Sequence, residues 1–526
     1  MKGIFQLLFA VLSVKSFSLN YYVSPAGNDN SNGLTVSTSF LTLERATYAV
    51  VAGDTVLIRN GIYTKNYPES LIAFLTVSGT ANNPITFKNY PGETPILQLN
   101  STNWAGISIN GNDYIIIDGL TIIGNNDNIT LAFAIDQKLN INNPATSGSG
   151  ISINTEYNNE TNKPHHNIVR NCTISKCGGG GIYTYNADYT TIENNTIFEC
   201  GWYAPYGNSG ISLYQSWNSD IFTGIKNFII GNTCYRNENF IPFYVAGTIT
   251  DGNGIIIDDS RNTQNNSILG NYNGFTYVAN NLVFDNGARG IHCFQSDNVM
   301  IVNNTCYKNC QSSFTQEGEL TAFDASNISF RNNIVSPSAN IPPIFAYNQT
   351  TTNIVSENNL ITNNFNLANP IGNNNISGSA SFILPSVNAS IADFHLQQSS
   401  LAINSGSIIN APLVDKDGNI RLINNFVDIG CYEFQNLLSN NQFDINKINV
   451  YPNPAQNSIS LNLKNIQNDT YDFLFFNAIG QKIEVNIIKV DNDRIDFDIS
   501  SLENGLYFIR TTIKEKEISL GKFIKN

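Results

Sequence analysis

Gly290-Ile291-His292-Cys293-Phe294, followed by Asn303-Asn304-Thr305-Cys306-Tyr307, is the stretch whose reading decides the fold. The glycine and the first asparagine are 13 residues apart, and the interval returns from Gly181 to Asn194, from Glu319 to Asn332 and, with glycine at the turn, from Gly106 to Gly119. The Gly-apolar motif also opens at Gly150, Gly210 and Gly254, where the interval is lengthened to 21, 21 and 26 residues (to Asn171, Gly231 and Asn280). Asparagine pairs, or single asparagines in the same place, recur at Asn194, Asn280, Asn303, Asn332 and Asn358. Such a period reads as strand, turn, strand, Asn-bearing turn, strand. Asparagine tolerates left-handed backbone angles and so suits a sharp bend. Stacked on the asparagine of the next coil, it also hydrogen-bonds up the stack. Coils of about two dozen residues predict an all-β chain, a right-handed single-stranded parallel β-helix in which each coil hides its apolar face only against its neighbours.

Strand alternation turns the repeat into a map. Counting from each glycine, offsets +1 (Ile107, Ile151, Ile182, Ile211, Ile255, Ile291, Leu320) and +3 (Ile109, Ile153, Thr184, Leu213, Ile257, Cys293, Ala322) point inward. Offset +2 (Ser108, Ser152, Tyr183, Ser212, Ile256, His292, Thr321) and offset +4 (Asn110, Asn154, Tyr185, Tyr214, Asp258, Phe294, Phe323) point outward. Asp258 alone breaks the aromatic run of the second outward column, and His292 enters the other column one coil later. The insertions all fall between the first and second strands of their coils, so they build one wall of a groove over this face.

Composition agrees with a stacked solenoid. Of 526 residues 83 are asparagine, and charged residues are 13%, roughly half the usual share. A net charge of −13 with 28 Lys+Arg argues against broad nucleic-acid binding. At 41% hydrophobic the chain can bury a core. Residues 1–18 read as a signal peptide: Lys2, an apolar run from Ile4 to Val14, and Ser16-Phe17-Ser18 as a small-x-small cleavage site. No later run reaches the ~18 apolar residues of a membrane span, and a monomer is expected. Of the eight cysteines, Cys234, Cys293 and Cys306 fall on core positions. Cys177 and Cys200 each stand six residues after an aligned asparagine, which sets them about 5 Å apart on adjacent coils and predicts a disulfide.

The opening Tyr21-Tyr22-Val23-Ser24-Pro25, a short amphipathic cap around Leu43 and Ala46, and Gly53-Asp54-Thr55-Val56-Leu57-Ile58 resemble the start of secreted pectate-lyase-like β-helix proteins. Val427-Asp428-Ile429-Gly430-Cys431-Tyr432-Glu433 resembles the strand that closes many of them. The β-helix is thus expected over 19–435, with a polar linker at 436–446. In 447–526, Val450-Tyr451-Pro452-Asn453-Pro454, Asn477-Ala478-Ile479-Gly480-Gln481-Lys482 and Leu502-Glu503-Asn504-Gly505-Leu506-Tyr507-Phe508 resemble the C-terminal sorting domain of the type IX secretion system of Bacteroidetes. That resemblance implies a small β-sandwich, the secretion machinery as a partner, and release or surface attachment.

Chemistry concentrates around Gly254 and Gly290: Asp251, Asp258, Asp259, Arg261, Arg289 and His292, with Glu317, Glu319 and Asp324 on the next coil. A polysaccharide lyase needs a base for the C5 proton of a uronate and a cation for its carboxylate. His292 fits the first, Arg289 and Arg261 the second. Asp251, Asp258 and Asp259 offer the hard oxygens of a Ca²⁺ site. An inverting glycoside hydrolase would instead use Asp258 and Glu319, two coils apart. Asp-Asp and Gly-Ile-His are similar to polygalacturonase motifs, but the second glycine and the distal Arg-x-Lys are missing, and no roles are carried over. Tyr185, Tyr214, Phe294, Trp202 and Trp217 offer faces for sugar rings. The plainer alternatives are aromatic stacks that only cover the coil, an Asx turn at Asp258-Asp259, and an Arg289–Glu319 pair. A noncatalytic glycan-binding surface protein or adhesin stands as the rival to a carbohydrate-active enzyme. His165, His166 and His395 read as uninvolved loop residues.

Overall fold

The computed structural model describes residues 18–525, except 66–69, 75–76, 348–349, 363–371, 424, 436–445, 448, 463–470, 478–481, 492–493 and 514–515. The signal peptide and cleavage site, most of the linker, and 478–481 of the sorting motif lie outside the described residues.

Each coil contributes strands to three parallel sheets, which hold 9, 11 and 11 described strands; in the coil that starts at Gly290 these are Ile291–Phe294 in the first sheet, Asp297–Val302 in the second and Thr305–Tyr307 in the third. The sheet built by the Gly motifs, here the first sheet, runs in unbroken register through Ile182–Tyr185, Ile211–Tyr214, Ile255–Asp258, Ile291–Phe294 and Leu320–Phe323. Tyr214 faces Asp258 across the strands, Asp258 faces Phe294 and His292 faces Thr321, as the columns predict. Both inward columns lie in one core with the valines and isoleucines of the other sheets. The helix Leu43–Thr47 closes the N-terminal end, with Thr42 accepting from the Arg45 N–H as its N-cap and Leu43 and Ala46 buried.

The asparagine pairs divide two tasks between neighbouring residues. The first of each pair takes the left-handed bend, with φ of 56° at Asn194, 57° at Asn280 and 54° at Asn303. The second turns inward and builds the ladder. Asn195, Asn232, Asn281, Asn304, Asn333 and Asn359 each donate their side-chain amide to the carboxamide oxygen of the next coil, at 2.9–3.0 Å. A second ladder runs from Asn237 through Asn286 to Asn309 beside the first sheet.

That second ladder explains the glycines. A Cβ at Gly254 would meet the ladder's Asn286 Nδ2 at 3.0 Å and the core's Val283 Cγ1 at 2.2 Å, and one at Gly290 would meet Asn309 Nδ2 at 2.9 Å. Glu319 holds the equivalent place on the next coil, and its side chain enters the same interior. It accepts from the Asn309 backbone N–H at 2.9 Å and from Asn309 Nδ2 at 2.6 Å, ending the ladder.

The segment expected as a closing strand takes another form. Residues 427–433 are irregular and cross the outside of the third sheet, where Ile429 and Cys431 join a satellite core with Phe284, Ile334 and Phe394. Gly430 N–H donates to Asn332 O at 2.8 Å. The fully buried Arg421 fixes the turn by pairing with Glu433 at 3.1 Å and donating to Asn280 Oδ1 at 2.7 Å.

Toward the C-terminus, a four-stranded and a five-stranded sheet enclose their own core of Ile459, Leu461, Phe475, Phe497, Ile509 and Phe523. This is the expected small sandwich. Leu506 packs against Phe228 and Tyr277 on the second sheet, and Lys522 pairs with Glu193 at 2.9 Å. Among the described residues no helix is long and apolar enough to cross a membrane.

Candidate functional site

The outward face of the first sheet is the floor of a groove. One wall is the expected set of insertions, residues 155–167, 215–224 and 259–274. The facing wall is formed where the third sheet returns to the first, by 124–148, 199–210, 236–254 and 308–319. Sequence reading did not identify this second wall, because its loops show no periodicity. Trp202 and Trp217 flank Ile211–Tyr214 from the two walls. Trp202 Nε1 donates to Arg236 O at 3.3 Å, and Trp217 Nε1 donates to Pro164 O at 3.2 Å. Tyr185 and Tyr214 stack on each other at 5.6 Å and 16°, so their facing surfaces are closed to a sugar ring.

His292 departs from expectation. It lies in the outward column but is only 3% exposed. Its Nδ1 is 2.7 Å from Thr321 Oγ1, and its ring sits 5.9 Å from Phe294 and 5.0 Å from Phe323. Burial, and secondarily the Arg289 cation, hold the imidazole well below its ordinary range, so it is uncharged at neutral pH.

Arg289 is nearly buried. It donates Nη1 to Thr250 O at 2.6 Å, pairs with Glu317 at 2.9 Å, and lies over the Phe323 ring at 5.6 Å. Its ionic partner is therefore Glu317, not Glu319. Thr250 Oγ1 donates to Asp251 at 2.7 Å, which links the guanidinium to the acidic side of the site. Asp258 is half-buried and accepts from Gln264 Nε2 at 3.0 Å. Burial, then Asp251 and Asp259, push its carboxyl well above the usual range.

Several expected residues lie elsewhere. Glu319 is inside the coil, because its offset faces the interior and its carboxylate ends an asparagine ladder; the Asp258–Glu319 hydrolase pair is therefore not assembled. Arg261 is turned into a bidentate pair with Asp297 at 2.8–3.1 Å. Cys177 and Cys200 are adjacent and buried but are free thiols, each directed at a carbonyl two residues back. The Cys200 thiol beside it, together with burial, holds Cys177 well above its ordinary value.

Of the three carboxylates offered to Ca²⁺, Asp251, Asp258 and Asp259, the last is not free to coordinate. Asp259 is fully buried, and both its carboxylate oxygens are already filled by protein hydrogen bonds. Among the described residues no three His, Cys, Asp or Glu side chains are placed to hold a metal ion.

Other charged groups are structural. Fully buried Lys226 lies 2.7 Å from Asp220 and 3.3 Å from Asp188, and Tyr272 donates to Asp188 at 2.6 Å, which ties the insertion wall to the second sheet. His166 is sandwiched between Tyr114 and Tyr189, and burial holds it down to about 3. His395 bridges Asp393 and Asp417, which raise it to about 9.

Comparison with known proteins matches this architecture. Residues 21–333 match the family described as Pel9A-like, right-handed β-helix region, and residues 449–526 match the secretion system C-terminal sorting domain. Pectate lyase L of Thermoclostridium stercorarium is 25% identical over 319 residues, 56% of this chain and 22% of that protein. Pectate lyase PEL9 of Emericella nidulans is 36% identical over 90 residues, 17% of this chain and 21% of that protein. The chain therefore spans less than a quarter of the length of either pectate lyase. The crystal structure of pectate lyase Pel9A shares 17% identity at a TM-score of 0.47, covering 80% of this chain and 97% of that one. The sorting domain marks the chain for type IX secretion, to the cell surface or beyond. With a family match over more than half its length, laid over the coils that carry His292 and Asp258, this chain belongs to the Pel9A-like right-handed β-helix family.

Proposed function

We propose that this protein is a polysaccharide lyase that cleaves an acidic, uronate-containing chain by β-elimination in the groove over the first sheet. One observation carries the reading. On a face otherwise lined by Ser, Thr, Asn, Ile256 and aromatic residues, His292, Arg289 and Asp258 gather on two adjacent coils between two walls. Adjacent strands and a two-residue stagger set Asp258 and His292 about 8 Å apart at the backbone.

Each group has a step it can perform. His292 is neutral, so with Nδ1–H donated to Thr321 its Nε2 is free to take the C5 proton. The electron pair left behind forms the C4–C5 double bond as the C4–O bond breaks. Arg289 offsets the uronate carboxylate and the charge that develops on it. A bound carboxylate would also offset the Arg289 cation and strengthen His292 as a base. Asp258, whose carboxyl is pushed toward its protonated form by burial and by Asp251 and Asp259, would give a proton to the departing oxygen. No step here runs through a metal.

The test is a screen on uronate and neutral polysaccharides. Unsaturated product absorbing near the ultraviolet edge is expected from a uronate polymer. His292→Ala should reduce it about 10²–10⁴-fold. Reducing ends without that absorbance would make the protein a hydrolase. Retention on a polysaccharide gel without any product would make it a binding module.

A further inference from the structure

Gln215 and Asp259 occupy the same turn position on successive coils, and both adopt left-handed angles, with φ of 51° and 50°. Both are buried. The same turn position is left-handed on the neighbouring coils too, at Asn186, Gln295 and Asp324; aspartate suits it, whereas glutamine carries that angle at a cost that a local interaction offsets. Gln215 Nε2 supplies it, donating to Asp259 Oδ2 and to the Gln264 backbone oxygen, each at 2.8 Å. A carboxylate and a carbonyl that face each other in this way are the donors a divalent cation would bridge. Here an amide bridges them.

The remaining Asp259 lone pairs are filled too. Oδ1 accepts from the Thr263 N–H at 2.8 Å and Thr263 Oγ1 at 2.9 Å, and Oδ2 also accepts from the Gln264 N–H at 2.8 Å. Four donors saturate the two oxygens. The loop pinned by these bonds then reaches back over the groove floor. Gln264 Nε2 donates to Asp258 Oδ1 at 3.0 Å, and Asn265 Nδ2 donates to the Tyr214 hydroxyl at 2.8 Å.

We infer that Gln215 and Asp259 form an amide-bridged lock that replaces a cation at the edge of the site, and that Gln264, held by this lock, is a positioning residue for the Asp258 carboxyl. The second half rests on the lyase reading; the first does not. The groups facing Asp258 are Tyr214 on its own sheet, Asp251 from the return wall, and Asp259 and Gln264 from the insertion wall. Gln264 is the neighbour whose hydrogen bond favours the ionised form.

The lock is tested by thermal unfolding of the full chain. The wild-type melting temperature should be the same in chelator and in Ca²⁺, whereas Gln215→Glu should melt several degrees lower in chelator and recover in Ca²⁺. A wild-type protein stabilised by Ca²⁺, or a Gln215→Glu variant indifferent to it, would overturn the lock. The positioning role is tested with Gln264→Met on the substrate found by the screen. The pH-rate limb belonging to Asp258 should move to higher pH, with kcat reduced and KM nearly unchanged. An unmoved limb would overturn positioning. Should no polysaccharide yield product, the lyase reading and the positioning role fail together, while the melting comparison still decides the lock.

Discussion

At the scale of single residues, Glu319 shows why a charged cluster in sequence is not yet a site. The spacing correctly placed it on the coil after His292, and its residue type suggested an acid. Alternation alone would turn its offset outward with +2 and +4, but Glu319 stands in the turn just before the strand Leu320–Phe323, where a Cβ faces the interior, and glycine elsewhere in that column conceals the direction. His292 was legible as an outward residue, but its burial was not, since it depends on Thr321 and Phe323 arriving from the next coil. Glu319→Ala should therefore destabilise the protein by about 2–4 kcal/mol, since both Asn309 donors lose their acceptor and a cavity is left. The folded fraction should keep its activity within a few-fold. Melting curves paired with specific activity decide the matter: abolished activity at unchanged stability would restore Glu319 as a catalytic acid.

At the scale of the repeating element, the sequence was most informative and also most ambiguous. Gly-to-Asn spacing revealed the coil, its register and both outward columns, because a parallel β-helix forces equivalent residues into line. It did not reveal which asparagine of a pair builds the ladder, since either side chain can hydrogen-bond. The structure separates them, with Asn194 exposed in the left-handed bend and Asn195 buried in the ladder. Asn194→Gly should change stability by no more than about 0.5 kcal/mol, since glycine holds that bend unaided at Gly231 on the next coil, with φ of 70°. Asn195→Ala should cost about 1–3 kcal/mol, because the Cys172 N–H and the Val169 carbonyl of the preceding coil and the Asn232 carboxamide of the next lose a partner. Chemical denaturation of the two variants checks the contrast, and equal losses would contradict the division of tasks.

For the whole molecule, buried ionisable groups set an unusual stability profile. Burial raises Glu319 to about 8 and Glu433 to about 9, so the folded state binds more protons than the unfolded chain above about pH 4.5. Their contribution is fully present below that pH and is lost as pH rises toward 8–9. His166 at about 3 and the depressed His292 act in the other direction, and lose stability as pH falls below 6.5. Stability should therefore peak between about pH 5 and 6.5 and decline toward pH 9, as melting temperatures across that range would show; a maximum above pH 8 would contradict the assignment of these groups. The central claim, that the groove over the first sheet eliminates across a uronate linkage, is tested most directly by following ultraviolet absorbance as the protein acts on polygalacturonate and other uronate polymers beside its His292→Ala and Asp258→Asn variants. The account predicts product from at least one polymer with wild type and a steep loss with both folded variants. Unsaturated product formed equally well by all three proteins, or by none of them on any uronate polymer, would contradict it.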